Sequence, residues 1–158
     1  MGTQSQTLFI SQYVLGSTIG APLSADTNGA LISGISTTEV SSTVSATAPT
    51  GADTLLAGMT ITPAAGTYLV WFSCDINSAN AGVTVSVSIY VGGTQKADSL
   101  RKVVPFAGGT LTSGSSRVGV SSNGLVTVNG SQAIEIRWST SSNAPTAAAR
   151  TMNILRVS

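Results

Sequence analysis

The stretch VTVSVSIYV at residues 83–91 decides the fold class. Valine or isoleucine occupies every odd position, and threonine, serine or tyrosine occupies every even one. A period of two over this length is typical of a β-strand that turns one face to a core and the other to solvent. Gly92 and Gly93 follow, and both can take the positive φ angles of a tight hairpin turn, which predicts a returning strand over residues 94–104.

The same alternation recurs along most of the chain. A second hairpin is predicted from residues 124–128 and 132–139, joined by Asn129 and Gly130. No stretch of a dozen residues places apolar side chains at helical spacing. The pattern therefore predicts an all-β fold, a two-sheet antiparallel sandwich. Further short strands are predicted at residues 31–35, 38–44, 56–62, 67–76, 116–121 and 147–157.

The first residues differ from this pattern. Residues 1–28 carry short apolar pieces spaced by Gly, Ser and Gln, and they end in the turn-forming stretch DTNG. We predict an N-terminal arm or collar over residues 1–28 and a single β-domain over residues 29–158. No signal peptide is evident in the arm, because its longest apolar cluster is too short.

Charge is sparse and unevenly placed. Only 8% of the 158 residues are charged, the net charge is +1, and Ser and Thr together number 45. Residues 1–95 carry −4 and residues 96–158 carry +5. This division arises either by chance on outward strand positions or because opposite patches meet between subunits. The few scattered bases argue against nucleic-acid binding, and no apolar segment approaches the length of a membrane span.

The sequence contains few of the side chains that catalytic sites use. There is no histidine and one cysteine, Cys74, which removes Ser-His-Asp and Cys-His arrangements and leaves too few ligands for zinc. We expect no enzyme, no catalytic residue, no metal and no cofactor, with Cys74 as a buried structural thiol. The remaining candidates, a Ser–Lys pair and a pair of carboxylates, come from Ser99, Lys96, Lys102, Asp75, Asp98 and Glu135.

The strand predicted at residues 67–76 is apolar on both faces. Tyr68, Val70 and Phe72 lie on one face, and Leu69 and Trp71 lie on the other. One face of an antiparallel sheet normally meets water, so the second apolar face predicts a cover. A partner subunit with Trp71 as an anchor is one such cover. The N-terminal arm or a loop is the other.

The string GTYLVWFS at residues 66–73, after MTITP and before a polar segment, resembles a motif of the trimeric jelly rolls of the complement globular head and tumour necrosis factor type. Further segments are similar, in the same order, to those of phage and bacterial members. The resemblance spans about residues 30–158. These further segments are SVSIYVGGTQ at 86–95, VTVNG at 126–130, IEIRW at 134–138 and RTMNILRV at 150–157.

This resemblance implies a jelly-roll sandwich of about ten strands, assembled as a homotrimer about its inner-sheet surfaces. Phage proteins of this kind include capsid decoration proteins, head fibres and fibre tips. We therefore expect a structural virion protein, made in the host cytoplasm, that decorates or stabilises the outer surface of a bacteriophage capsid. The expected trimer interface contains Leu69, Trp71 and Tyr90.

The arm is the expected attachment to the major capsid protein or another virion protein. Its apolar residues would lie on that partner or add a strand to its sheet. The alternative hypothesis is a receptor- or glycan-binding fibre tip, which would hold a host surface glycan on loops at residues 77–82, 105–116 and 139–145. The attachment residues of the arm are Leu8, Phe9, Ile10 and Tyr13.

Overall fold

The computed structural model describes residues 24–25, 31–32, 37–78, 82–105, 116–142 and 145–157. Contacts divide the chain into two units, Met1–Ser36 and Thr37–Ser158. The described part of the first unit is a short antiparallel ladder between β1 (Ser24–Ala25) and β2 (Leu31–Ile32). The rest of the predicted arm lies outside the described residues.

The second unit is a sandwich of two antiparallel five-stranded sheets, as the alternation predicts. The β6 sheet has the order β10-β6-β12-β3, with β4 also paired to β12. It contains β3 (Thr37–Ser42), β4 (Ala46–Thr47), β6 (Gly66–Ser78), β10 (Ser116–Val128) and β12 (Thr146–Arg156). The β7 sheet has the order β5-β11-β7-β8, with β9 also paired to β7. It contains β5 (Thr54–Ile61), β7 (Val85–Val91), β8 (Thr94–Gln95), β9 (Arg101–Val103) and β11 (Ile134–Thr140).

The core lies between these two sheets and follows the period-two pattern. Val85, Val87 and Ile89 of β7 are fully buried, and so is Val70 of β6. Successive long strands alternate between the sheets, so the two inner faces close on one core. Ten strands in two antiparallel sheets confirm the predicted jelly-roll sandwich.

Cys74 is buried in this core, as expected. Burial and the neighbouring charge of Asp75 raise the pKa of its thiol to about 12, against an opposing effect of Arg150. Because the thiolate is the reactive form, the folded chain holds Cys74 unreactive at neutral pH.

The Gly92-Gly93 hairpin is confirmed by the pairing of Val91 with Thr94 and of Tyr90 with Gln95. The returning strand is interrupted, however. A 3-10 turn, Ala97–Ser99, separates β8 from β9, and both strands pair with β7. The prediction of a continuous strand over residues 94–104 is therefore wrong, and one short helical turn is present.

Ser99 is the physical reason for the interruption. Its buried hydroxyl accepts a hydrogen bond from the Ile89 N–H at 2.9 Å and donates to the Lys96 carbonyl at 2.6 Å. Its own carbonyl accepts a hydrogen bond from the Ser122 hydroxyl of β10 at 2.6 Å. The turn thereby joins the edges of the two sheets and closes one side of the sandwich.

The second predicted hairpin is wrong. Residues 116–128 form one strand that pairs with β6, whereas β11 pairs with β5 and β7 in the opposite sheet. The turn between them crosses the sandwich. The Asn129 side-chain oxygen accepts hydrogen bonds from the N–H groups of Ser131 and Gln132, and Gly130 has a φ of 91°. Asn-Gly suits this crossing turn as well as it suits a hairpin, because both need a positive φ.

Arg150 is a buried cation in the β6 sheet, where a bulge between Ala147 and Arg150 turns its side chain inward. Its guanidinium donates to the carbonyls of Val44 at 2.6 Å and Ala57 at 2.9 Å. It also donates to two carbonyls of its own bulge, those of Ala147 and Ala148. Burial lowers the pKa of Arg150. One side chain thus ties β12 to β5 and to the segment after β3.

Candidate assembly surface

The outer face of the β6 sheet, here called the β6 face, carries the two residues predicted to need a cover. β6 is flanked by β10 and β12, and its odd-numbered residues point away from the core. Trp71 is 40% exposed and Leu69 is partly buried. The structure therefore places Leu69 and Trp71 together on one outward surface, as predicted.

Pairing with the neighbouring strands extends this apolar surface. Leu125 of β10 and Leu155 of β12 both lie opposite Leu69, one on each side. Leu125 is 54% exposed. The alternation within a single strand does not reveal these two leucines as part of the surface, because their position depends on which distant strands pair.

Trp71 stands at the border between apolar and polar halves of the β6 face. Asn123 and Asn153 flank it on β10 and β12. A shallow hollow of about 280 Å³ lies beside the indole. Small polar side chains line the continuation of this hollow, namely Ser73, Ser121 and Thr151.

Charged side chains occupy the far end and one edge of the β6 face. Asp75 lies opposite Gly119, and Arg117 lies opposite Asn77 in the next row. Glu39, on the edge strand β3, lies in the row of Trp71. A second hollow, of about 380 Å³, is lined by Asp75 and Gly119 among others. The face thus changes from leucines at one end to charges at the other.

Tyr90 lies elsewhere. It belongs to β7, and its hydroxyl donates a hydrogen bond of 2.7 Å to Asp53, which also accepts from Ser139. Arg137 lies over the Tyr90 ring at 4.8 Å and forms a 2.7 Å ion pair with Glu135. The structure therefore does not bring Tyr90 to the surface that Leu69 and Trp71 share.

This network perturbs the phenol. Desolvation, the hydrogen bond from the phenol to Asp53 and the charge of Asp53 raise the pKa of Tyr90 to about 12, and Arg137 opposes them. Arg137 pairs with Glu135 and Asp53 accepts hydrogen bonds from Tyr90 and Ser139, so each charged group of this cluster has a partner within the chain.

The predicted attachment residues are outside the described part of the chain. This applies to Leu8, Phe9, Ile10 and Tyr13, and to much of the loops proposed for glycan binding. Their role stays a prediction.

Four of the groups considered for catalysis, Ser99, Lys96, Asp98 and Glu135, have structural partners among the described residues. The Ser99 hydroxyl is engaged with backbone groups, and Lys96 forms a 3.1 Å ion pair with Asp98. No group of three or more His, Cys, Asp or Glu side chains within the described residues could hold a metal ion. None of the described helical segments is long and apolar enough to cross a membrane.

No protein-family model matches the sequence, and no curated protein matches it. Solved structures do resemble the fold. A point mutant of the VP2 protein of infectious bursal disease virus, in derived T=1 particles, has a TM-score of 0.52 at 14% identity, covering 80% of this chain and 33% of that chain.

Two further particles of that virus give a similar result. The derived T=1 particle has a TM-score of 0.51 at 13% identity, covering 90% of this chain and 37% of the other. The T13 particle has a TM-score of 0.50 at 16% identity, covering 90% and 36%. The chain spans about a third of the length of these proteins. A likeness at this identity establishes the fold, a jelly roll like those of viral capsid proteins.

Proposed function

We propose that this chain is a non-enzymatic structural virion protein, which assembles as a homotrimer through the β6 face and decorates or stabilises a bacteriophage capsid from its outer surface. The observation that carries the proposal is the leucine row at one end of that face. Leu125, Leu69 and Leu155 lie side by side across three strands, with Trp71 in the next row.

Such a row is unfavourable on a surface that meets water. Burying a leucine fully contributes about 1.5–3 kcal/mol relative to leaving it exposed. The outer face of a solvated sandwich normally carries polar side chains. A second copy of the same face, with Trp71 beside the leucine row as an anchor, removes this surface from water.

The virion role is supported by the fold. The sandwich is similar to capsid proteins of infectious bursal disease virus, and the low share of charged residues suits a chain whose neighbours cover much of it. Fold likeness alone does not carry function, so the role rests also on the assembly surface.

Attachment is assigned to the arm at residues 1–28, whose apolar residues would bind the major capsid protein or another virion protein. One trimer would then clamp neighbouring capsid subunits, which stabilises the shell by mass action. The attachment residues are Leu8, Phe9, Ile10 and Tyr13.

Electron microscopy of purified particles tests this role. We expect the chain as threefold density on the outside of the capsid, and particles that lack it should lose their shells at a lower temperature. Deleting residues 2–28 should leave a trimer that no longer binds particles. Absence of the chain from purified particles would overturn the virion role, and binding by the deleted variant would overturn attachment through the arm.

The fibre-tip hypothesis is favoured by one observation, the exposed indole of Trp71 beside Asn123 and Asn153 in a hollow of about 280 Å³. An aromatic face with amide groups beside it is suited to a sugar ring. This site would need the β6 face free, so the two proposals exclude each other at Trp71. Reproducible glycan-array binding by the wild-type chain that Trp71→Ala removes would favour the fibre tip.

A further inference from the structure

We infer that the charged end of the β6 face sets the register of the assembly, through an ion pair between Asp75 of one copy and Arg117 of the next. This inference rests on the proposed homotrimer and names the contact that aligns its subunits. It concerns polar residues that the leucine row does not involve.

Both side chains point outward from the same end of the face. Asp75 of the central strand β6 lies opposite Gly119, and Arg117 of the edge strand β10 lies one row further, opposite Asn77. Both are exposed. A side chain placed on Gly119 would meet no described residue within 4 Å, so within the described part of the chain the space beside Asp75 is open to an incoming group.

Neither residue has an ion-pair partner among the residues that the structure describes. Elsewhere among the described residues charges do pair, as Lys96 does with Asp98 and Arg137 does with Glu135. Asp75 and Arg117 are opposite in sign and lie in adjacent rows, whereas Glu39 lies apart from them on the edge strand β3. The Asp75–Arg117 end of the face can therefore meet the same end of a second copy with complementary charges.

Their positions suit a ring of copies. A threefold ring is built from heterologous contacts, in which different patches of one surface meet. Arg117 lies on the edge strand, and Asp75 lies on a strand that is paired on both sides. The edge strand β10 of one copy can therefore lie against strand β6 of its neighbour.

The row spacing selects Asp75 over Glu39 as the partner. A threefold rotation about an axis parallel to the strands leaves each residue at the same height along that axis. Successive rows of the face are about 7 Å apart in this direction. Asp75 is one row from Arg117, whereas Glu39 lies in the row of Trp71, three rows away. An arginine side chain spans one such step and does not span about 20 Å.

The test is charge reversal in the full chain, measured by sedimentation over a range of concentrations. Asp75→Arg and Arg117→Asp each place like charges together, and we expect each to raise the concentration of half-assembly about tenfold or more. The double reversal restores the pair and should return this concentration to within about threefold of the wild type. Circular dichroism confirms that each variant folds.

A matched control carries the same charge change outside the β6 face. Lys102→Asp lies on β9 of the other sheet and reverses a cation as Arg117→Asp does. It should not shift half-assembly more than about threefold. Should a reversal not fold, Asp75→Asn serves instead: salt should weaken assembly of the wild type more than that of this variant.

The outcomes separate the two proposals. A wild-type chain that stays monomeric overturns the homotrimer and this inference together. A wild-type trimer whose double reversal is no better than the single reversals overturns the Asp75–Arg117 pair alone. The pair would also be overturned by single reversals that do not weaken assembly, or by a control variant that weakens assembly as much as the reversals do.

Discussion

Leu125 lies directly opposite Leu69 across the ladder of β10 and β6, and both side chains point away from the core. With Leu155 on the other side of Leu69, three leucines form a continuous row on the outer surface of one sheet. An apolar row on the outer face of a sheet is the feature that a monomer in water least explains.

Leu125→Glu should convert the assembly to monomers without unfolding the sandwich. The new carboxylate would be desolvated in every interface, whereas in the monomer it meets water at a position that is 54% exposed. The monomer's unfolding free energy should change by no more than about 1 kcal/mol. Light scattering reports the mass and urea denaturation reports the stability.

The matched control for this change is Leu55→Glu. Leu55 is also exposed, at 41%, but it lies on β5 in the other sheet. The control should keep the mass of the wild type. Equal loss of assembly in both variants would show that the chain does not assemble through the β6 face.

Arg150→Met should destabilise the fold by about 3 kcal/mol or more. The substitution keeps most of the side-chain volume but removes four hydrogen bonds to carbonyl groups, one of them buried and three part-buried. A buried carbonyl left without a donor costs about 1–3 kcal/mol, and a part-buried one costs less. Urea denaturation at one fixed protein concentration measures the change.

The comparison for Arg150 is Lys102→Met, which also removes a cation but at an exposed position of β9. Its effect should stay within about 0.5 kcal/mol. Similar losses for the two variants would mean that the bonds of Arg150 do not hold β12 to its neighbours.

Gly130→Ala tests the turn that crosses between the sheets. Gly130 has a φ of 91°, and an added Cβ would lie 3.1 Å from the Ala65 backbone nitrogen. Gly51→Ala has a similar φ of 89° but meets nothing within 4 Å. Both should destabilise the fold by about 1 kcal/mol from backbone strain, with a larger loss for Gly130. A smaller loss for Gly130 than for Gly51 would contradict the packing of this turn against the segment before β6.

Stability should fall at alkaline pH. The folded chain raises the pKa of Tyr90 from 10.0 and that of Cys74 from 9.0, each to about 12. Because folding favours the protonated forms, their contribution is complete below about pH 9 and is lost as the pH rises toward 12. Urea midpoints across this range measure the loss.

Tyr90→Phe identifies the phenol's share of that loss. The variant should show a shallower decline between pH 10 and 12, since one of the two titrating groups is gone. A decline as steep as that of the wild type would show that Tyr90 is not protected by Asp53. The difference in ultraviolet absorption between the two proteins follows the tyrosinate directly.

The alternation of residues along a strand predicted which face of the sheet each side chain lies on. The outward direction of Leu69 and Trp71 follows from the period of a strand, and so does the buried face of β7. The positive φ angles of Gly92 and Gly93 follow equally from residue type.

The alternation of residues does not predict which distant strands pair with each other. Whether β10 joins β6 or β11 depends on contacts far apart in sequence, and a turn such as Asn129-Gly130 serves either connection. The row of Leu125 and Leu155 was missed for this reason, as was the separation of Tyr90 from Trp71. The inward direction of Arg150 depends on a bulge that no alternation reveals.

The most direct test of the assembly claim is the mass of the full chain in solution at micromolar concentration, measured by multi-angle light scattering. Assembly through the β6 face predicts a particle of three chains, about three times the 15.8 kDa of one. A stable mass of one chain across the micromolar range would contradict assembly through the β6 face, because Leu125 and Trp71 would then stay exposed to water.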